Sequence, residues 1–325
     1  MPEITDGWLV ERGLDENRAV LLEGGAVVAA RLDWPGGLKT GMIADAVLAA
    51  RQAGSARGTV RIEHREALVD RLPKSASEGA SLRVEILRPA LRERGRTKLA
   101  QARWTDANPR PAPALEDTLT DAPVRLVPRF PEGMWEDVWH EAWSGRVDFA
   151  SGALTFYDTP AMTLIDIDGD DDPVALAHKA VAPLAAAMRR FDMAGSIGID
   201  FPTLAARADR KTVDAALDDA LAGWPHERTA MNGFGFVQIV ARLDRVPLTR
   251  RIANARVGAT ARFLLRAAER VDGAGQLLIT AHPALKAKFT DARLALLARR
   301  TGRTATLAFD PGLAMEGGFA QSVSP

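Results

Sequence analysis

The chain has no cysteine. That excludes disulfides and every thiolate metal site, zinc included, and it fits a reducing, cytoplasmic setting. The opening MPEITDGWLV has neither the basic nor the apolar region of a secretory leader, and none is expected. No apolar run approaches the roughly 18 residues of a membrane span, so no membrane partner is expected. Net charge is absent too, with 42 basic and 42 acidic residues in 325. The balance hides a pattern. Residues 1–104 carry 17 basic and 14 acidic residues, residues 105–172 carry 4 and 15, and residues 173–325 carry 21 and 13. Two clusters stand out: Arg83 to Arg103, with seven basic and two acidic residues, and Arg242 to Arg270, with eight and two. Basic faces around an acidic centre suit a polyanion approaching a metal site, although solvated faces of separate elements would give the same pattern.

What is present is ordinary globular composition, 47% hydrophobic and 26% charged, long enough for two or three domains. Residues 1–104 read as short apolar or alternating runs between Gly-rich breaks (GLDEN, EGG, PGG, AGSARG), the pattern of a small β-barrel or sandwich. Residues 105–150 form a proline-rich linker followed by WEDVWHEAW, where Trp135, Trp139 and Trp143 make one stripe of a short helix. His140 has no His or Cys partner at ligand spacing and receives no metal role. Residues 151–250 read strand, strand, helix, strand, helix, strand. Pro173 and the aspartates before it mark a helix start, and Pro183 is expected to kink that helix. Residues 251–325 alternate helix and strand as a small α/β domain.

Two segments in the third region pose a question. MTLIDIDGDDDP (162–173) and GSIGIDFPTL (195–204) are both apolar strands that run into aspartate. Strand, covering helix and strand make a βαβ unit with parallel strands, and such sheets gather functional groups at the carboxyl ends of their strands. If the two strands are neighbours, about 4.8 Å apart, Asp166 and Asp200 repel unless a proton or a cation intervenes. An oxygen-only pair suits Mg²⁺, which keeps several waters and takes its remaining ligands from phosphate. A calcium loop does not fit, because Gly169 stands at position 4 and Ala177 at position 12. Helix capping accounts for Asp170, Asp171 and Asp172 but less well for Asp166, between two isoleucines, and Asp200, between Ile199 and Phe201.

LIDIDG followed 34 positions later by GSIGIDF resembles the ribonuclease E/G family, in the deoxyribonuclease-I-like subdomain of its catalytic core. The resemblance extends to RTAMNGFGFVQIVAR (228–242), to GQLLITAHPALKAKF, and to an N-terminal segment similar to a reduced oligonucleotide-binding barrel. It implies a mixed α/β and β fold: an OB-like RNA-binding barrel in 1–104, a metal-dependent catalytic domain in 151–250 and a small α/β domain in 251–325. It implies that Asp166 and Asp200 hold Mg²⁺, or Mn²⁺ in its place, and that water attacks an RNA phosphodiester. Where the family has an assisting Asn, this chain has Asp168, taken as the third catalytic residue. Lys98 falls near an RNA-contacting basic residue of the family. The family's ribonuclease-H-like region and cysteine-containing zinc link have no counterpart here, so any oligomer would form without zinc. Aliphatics stand near Val60 and Ala67, where aromatics are expected to grip RNA.

The resulting expectation is an endoribonuclease acting on single-stranded RNA in processing or decay, with Arg242, Arg245, Arg250 and Arg251 on phosphates. An RNA-binding or assembly protein of the same fold without turnover is the rival, and a metal-dependent phosphodiesterase on another substrate the third reading.

Overall fold

The computed structural model describes residues 6–93 and 96–324. β1 (Gly7–Arg12), β2 (Asn17–Glu23) and β3 (Ala26–Asp33) form an antiparallel meander. β1 and β2 are buried almost residue by residue, on both faces. Such strands need cover on two sides, which the wet outside of a small barrel does not give. Leu9, Val20, Leu22 and Ala30 pack into the central core of the molecule, while Trp8, Val10, Ala19 and Leu21 pack against Leu115 and Leu119. This corrects the expectation of a single barrel-like unit over residues 1–104.

The barrel itself begins at Ile43. β4 (Ile43–Arg51), β5 (Gly58–Ile62), β6 (Arg65–Asp70), β7 (Ser81–Arg88) and β10 (Ala100–Thr105) close in the order β10-β6-β5-β4-β7. Alternating small and aliphatic residues, among them Val60, Ala67, Val84, Ile86 and Ala102, fill its interior. A closed five-stranded barrel is compatible with an OB-like architecture. β8 (Leu91–Glu93) and β9 (Arg96–Lys98) make a separate hairpin beside it.

The proline-rich segment is a strap rather than a free linker. Arg110 bridges to Ile43, and β11 (Val124–Val127) adds to the first sheet parallel to β1. α1 (Met134–Ser144) follows, with Trp135, Trp139 and Trp143 buried as the expected stripe; Trp139 stacks on Trp143 at 5.0 Å and on Phe263 at 4.1 Å between centroids.

The central sheet comprises β12 (Arg146–Phe149), β13 (Gly152–Asp158), β14 (Thr163–Gly169), β15 (Gly195–Asp200), β16 (His226–Arg228) and β17 (Phe236–Ala241), in the order β12-β13-β14-β15-β17-β16. β14 and β15 are parallel, joined by α2 (Pro173–Arg190), which is continuous through Pro183. Asp172 caps α2 by accepting from the amides of Val174 and Ala175. α2 and α3 (Arg207–Ala220) cover one face, burying Ile165, Ile167, Ile197 and Ile199 with Leu176, Leu184 and Leu217. The other face meets solvent at Tyr157, Gln238 and Val240.

α4 (Leu248–Ala253) returns to the central core through Leu248 and Ile252. α5 (Arg256–Arg270), β18 (Gln276–Ala281), α6 (Asp291–Thr301), β19 (Ala305–Phe309) and β20 (Phe319–Val323) form a small α/β unit with sheet order β19-β18-β20 and its own apolar cluster. Among the described residues, no helix is long and apolar enough to cross a membrane.

Candidate active site

Strict alternation in β14 sets the site. Odd-numbered Thr163, Ile165 and Ile167 are buried, so even-numbered Leu164, Asp166 and Asp168 turn to the face without helices. The ladder places Asp166 directly opposite Asp200 on β15. The same register line continues to Thr155 on β13 and Phe236 on β17, so Thr155, Asp166, Asp200 and Phe236 form one row across four strands. Asp168 lies one pleat further toward the strand end, opposite Ala153.

Gly198 supports this row from below. A Cβ there would lie 2.5 Å from Cζ of Phe236 and 3.0 Å from both Leu164 Cδ2 and Met162 Sδ. The Phe236 ring therefore folds over a position only glycine can occupy, walling the site beside Asp200.

Burial raises the Asp166 carboxyl above its usual range, and the neighbouring Asp168 and Asp200 charges raise it further. A hydrogen bond with the Asp168 side chain acts the same way, opposed by the amide of Ile167. Crowded carboxylates hold a proton or a cation. Among the described residues, no three carboxylate or imidazole side chains converge into a ready metal cage. Mg²⁺ does not require one: it is commonly bound by one or two carboxylates plus water and substrate phosphate. The Asp166–Asp200 pair, open to solvent at the end of parallel strands, has that donor chemistry.

Two aromatics near the row carried no role in the sequence reading. The turn before β17 is fixed by Asn232, whose Oδ1 accepts from the amides of Phe234 (2.8 Å) and Phe236 (3.1 Å). Gly235, at φ +87°, accepts from the amide of Phe201, and a Cβ there would strike the Phe201 carbonyl at 2.5 Å. The turn is thus clasped to the residue after Asp200, with Phe234 80% exposed at its tip. Tyr157, 53% exposed, lies on the same sheet face one pleat from Thr155. The Asn-Gly-Phe-Gly string was the available signal, as Asn and Gly together mark a tight turn that presents its middle residue.

The basic residues lie elsewhere. β17 runs antiparallel to β15, so Phe236 is opposite Asp200 but Ala241 is opposite Gly195. Five residues of strand, about 16 Å, separate the aspartates from the start of the arginine cluster. Arg242 is exposed and pairs with Asp244 at 2.7 Å. Arg245 pairs with Asp192 at 2.8 Å, and Arg250 is buried against Asp158 at 2.7 Å. Arg251 lies over Trp34, 5.4 Å from the ring centroid. Lys98 sits on the β8–β9 hairpin, opposite Leu91. Asp171 pairs with Lys179 at 2.7 Å, a surface role in keeping with its position before α2.

No family model matches this chain, and no curated protein matches it.

Proposed function

We propose that the chain is a Mg²⁺-dependent endoribonuclease cleaving single-stranded RNA at the Asp166–Asp200 pair. The closed barrel is read as an OB-like RNA-binding domain and the central sheet as a deoxyribonuclease-I-like catalytic subdomain. The observation that carries the reading is the direct cross-strand pairing of two aspartates on an uncovered sheet face, with the Asp166 carboxyl raised by burial and then by the charges of Asp168 and Asp200.

Asp166 and Asp200 would hold Mg²⁺, or Mn²⁺, and Asp168 would add negative charge at the rim. Such an ion polarises a phosphoryl oxygen and makes water a stronger nucleophile. Phe234 and Tyr157 offer faces on which bases flanking the scissile phosphate stack, a sequence-tolerant contact suited to single strands. Lys98 and the exposed Arg242 are the candidates for backbone phosphates. Because there is no cysteine, any oligomer forms without a thiolate zinc link.

The second reading, an RNA-binding or assembly protein without turnover, draws on the separation of the arginine cluster from the aspartates. Incubating purified protein with end-labelled single-stranded RNA, in Mg²⁺ or in EDTA, separates the two. Mg²⁺-dependent internal cleavage supports the nuclease, and binding without cleavage supports the rival.

A further inference from the structure

A cavity of 1190 Å³ opens where the loop after β3, the β8–β9 hairpin, the α4–α5 junction and the segment before α6 meet. Its lining is strongly basic: nine Arg and Lys side chains against Asp33 and Asp244. Most of the buried or partly buried arginines of the molecule have a carboxylate. Arg18 is held by Glu11 and Glu16, Arg250 by Asp158, Arg262 by Asp15 and Arg266 by Glu11 and Glu136. That is the general rule, because an unpaired buried charge is costly.

Arg251 departs from it. Among the described residues it has no carboxylate within ion-pair distance and no side-chain hydrogen bond, and its Nε is sealed from solvent without a partner. Burial pushes its guanidinium below the ordinary value, with Asp33 and Asp192 acting in the opposite direction from a distance. Trp34 stacks against both Arg251 and Arg262, at 5.4 and 4.5 Å from the ring centroid, and holds two cations at one wall. Arg256 lines the cavity from the next helix, and Arg92 and Lys288 are exposed on it. The fold has gathered positive charge around a space and, among the described residues, left the partly buried Arg251 guanidinium with neither a carboxylate nor a hydrogen-bond acceptor.

We propose that this cavity binds a ligand carrying at least two phosphate groups, with Arg251 contacting them from inside. A planar guanidinium with fixed donors is the side chain best matched to phosphate oxygens. One phosphate does not balance Arg251, Arg256, Arg92 and Lys288 together; a diphosphate or longer group does. The volume suits a nucleotide-sized molecule. The same chemistry is available from a free polyphosphorylated small molecule or from successive phosphates of an RNA strand. The site lies at the opposite end of the central sheet from Asp166 and Asp200, and the inference stands independently of the nuclease reading.

The test is calorimetric titration of inorganic pyrophosphate into the full chain in EDTA, so that no metal at the aspartates contributes. The expected result is one pyrophosphate per chain, with Arg251→Met weakening it at least about tenfold, the loss of one charge-assisted contact. Without ligand, Arg251→Met should melt no lower than wild type, since a desolvated charge is removed. If that variant does not fold, Lys288→Gln and Arg92→Gln, both at exposed positions, are each expected to weaken binding severalfold. A single-stranded oligonucleotide then distinguishes the sources: displacement of pyrophosphate assigns the site to an RNA strand, and simultaneous binding assigns it to a free ligand. No pyrophosphate binding by wild type, or binding unchanged in Arg251→Met and in both rim variants, would overturn the proposal.

Discussion

At the scale of single residues, Asp166 carries two opposing consequences. Its carboxyl is raised by burial, Asp168 and Asp200. For an acid, a raised folded-state value means that the ionised form is disfavoured in the fold. Above that value the charge costs stability; below the ordinary aspartate range it costs nothing. Asp166→Asn is therefore expected to raise the melting temperature in EDTA near neutral pH. The gain should shrink as pH falls through the raised value and vanish below the ordinary one. Melting curves across acid to neutral pH check this, and a gain that persists unchanged at low pH would count against carboxylate crowding. With Mg²⁺ present the order should reverse, because the wild-type pair gains a cation and the variant loses a ligand. Asp171→Asn, at a solvated ion pair with Lys179, should alter neither curve by much.

At the scale of elements, the βαβ unit was legible and the surroundings were less so. LIDID and GSIGID alternate or run apolar over strand-length segments, the helix between them is long and capped, and a right-handed parallel crossover is nearly obligatory. Those local facts place Asp166 beside Asp200. β1 could not be placed in this way, because its partner β11 lies more than a hundred residues away and nothing local encodes the pairing. The arginines after residue 241 look adjacent to the aspartate segment in sequence, yet β17 carries the chain across the sheet before they begin. The Asn232–Gly235 turn was visible as a string but not as a platform. Its exposed Phe234 makes a direct prediction. Base–aromatic stacking is worth about 1–3 kcal/mol. Phe234→Ala should thus raise the KM for single-stranded RNA roughly fivefold to a hundredfold. Melting should be unchanged, since an 80% exposed ring contributes little to the core, and Phe234→Trp should restore binding. An unaltered KM in Phe234→Ala would remove the turn from the RNA path.

At the scale of the whole molecule, one buried ionic network joins parts distant in sequence. Glu11 on β1 accepts from Arg18 on β2 at 2.8 Å, pairs with Arg266 of α5, and accepts from the amide of Phe130 at 2.7 Å. Arg266 also pairs with Glu136 of α1, and Glu16 accepts from Trp34. The first sheet, the strap, α1 and the C-terminal unit are tied at a point that propensity and alternation do not reveal, as buried charge reads in sequence like surface charge. Glu11→Ala would leave two buried guanidiniums short of an anion, and the expected loss is about 3–5 kcal/mol. Urea denaturation measures it, and a loss below about 1 kcal/mol would show that the network is solvated. Surface electrostatics should appear instead in RNA affinity. If about five phosphates of a single strand are neutralised, the log–log salt slope is roughly −3.5, and a flat response in filter binding would exclude the basic faces as the RNA track.

The central claim is that Asp166 and Asp200 act through one divalent ion on RNA. Single-turnover cleavage of a labelled single strand, at saturating protein in Mg²⁺, tests it in wild type, Asp166→Asn, Asp200→Asn and the double variant. Loss of about 4 kcal/mol of transition-state stabilisation corresponds to roughly a thousandfold slower cleavage. Each single variant is expected to show that loss, and the double variant to be little worse than either, since both carboxylates serve the same ion. Wild-type rates in both single variants, or a wild-type protein with neither cleavage nor a Mg²⁺-dependent shift in melting, would contradict the account.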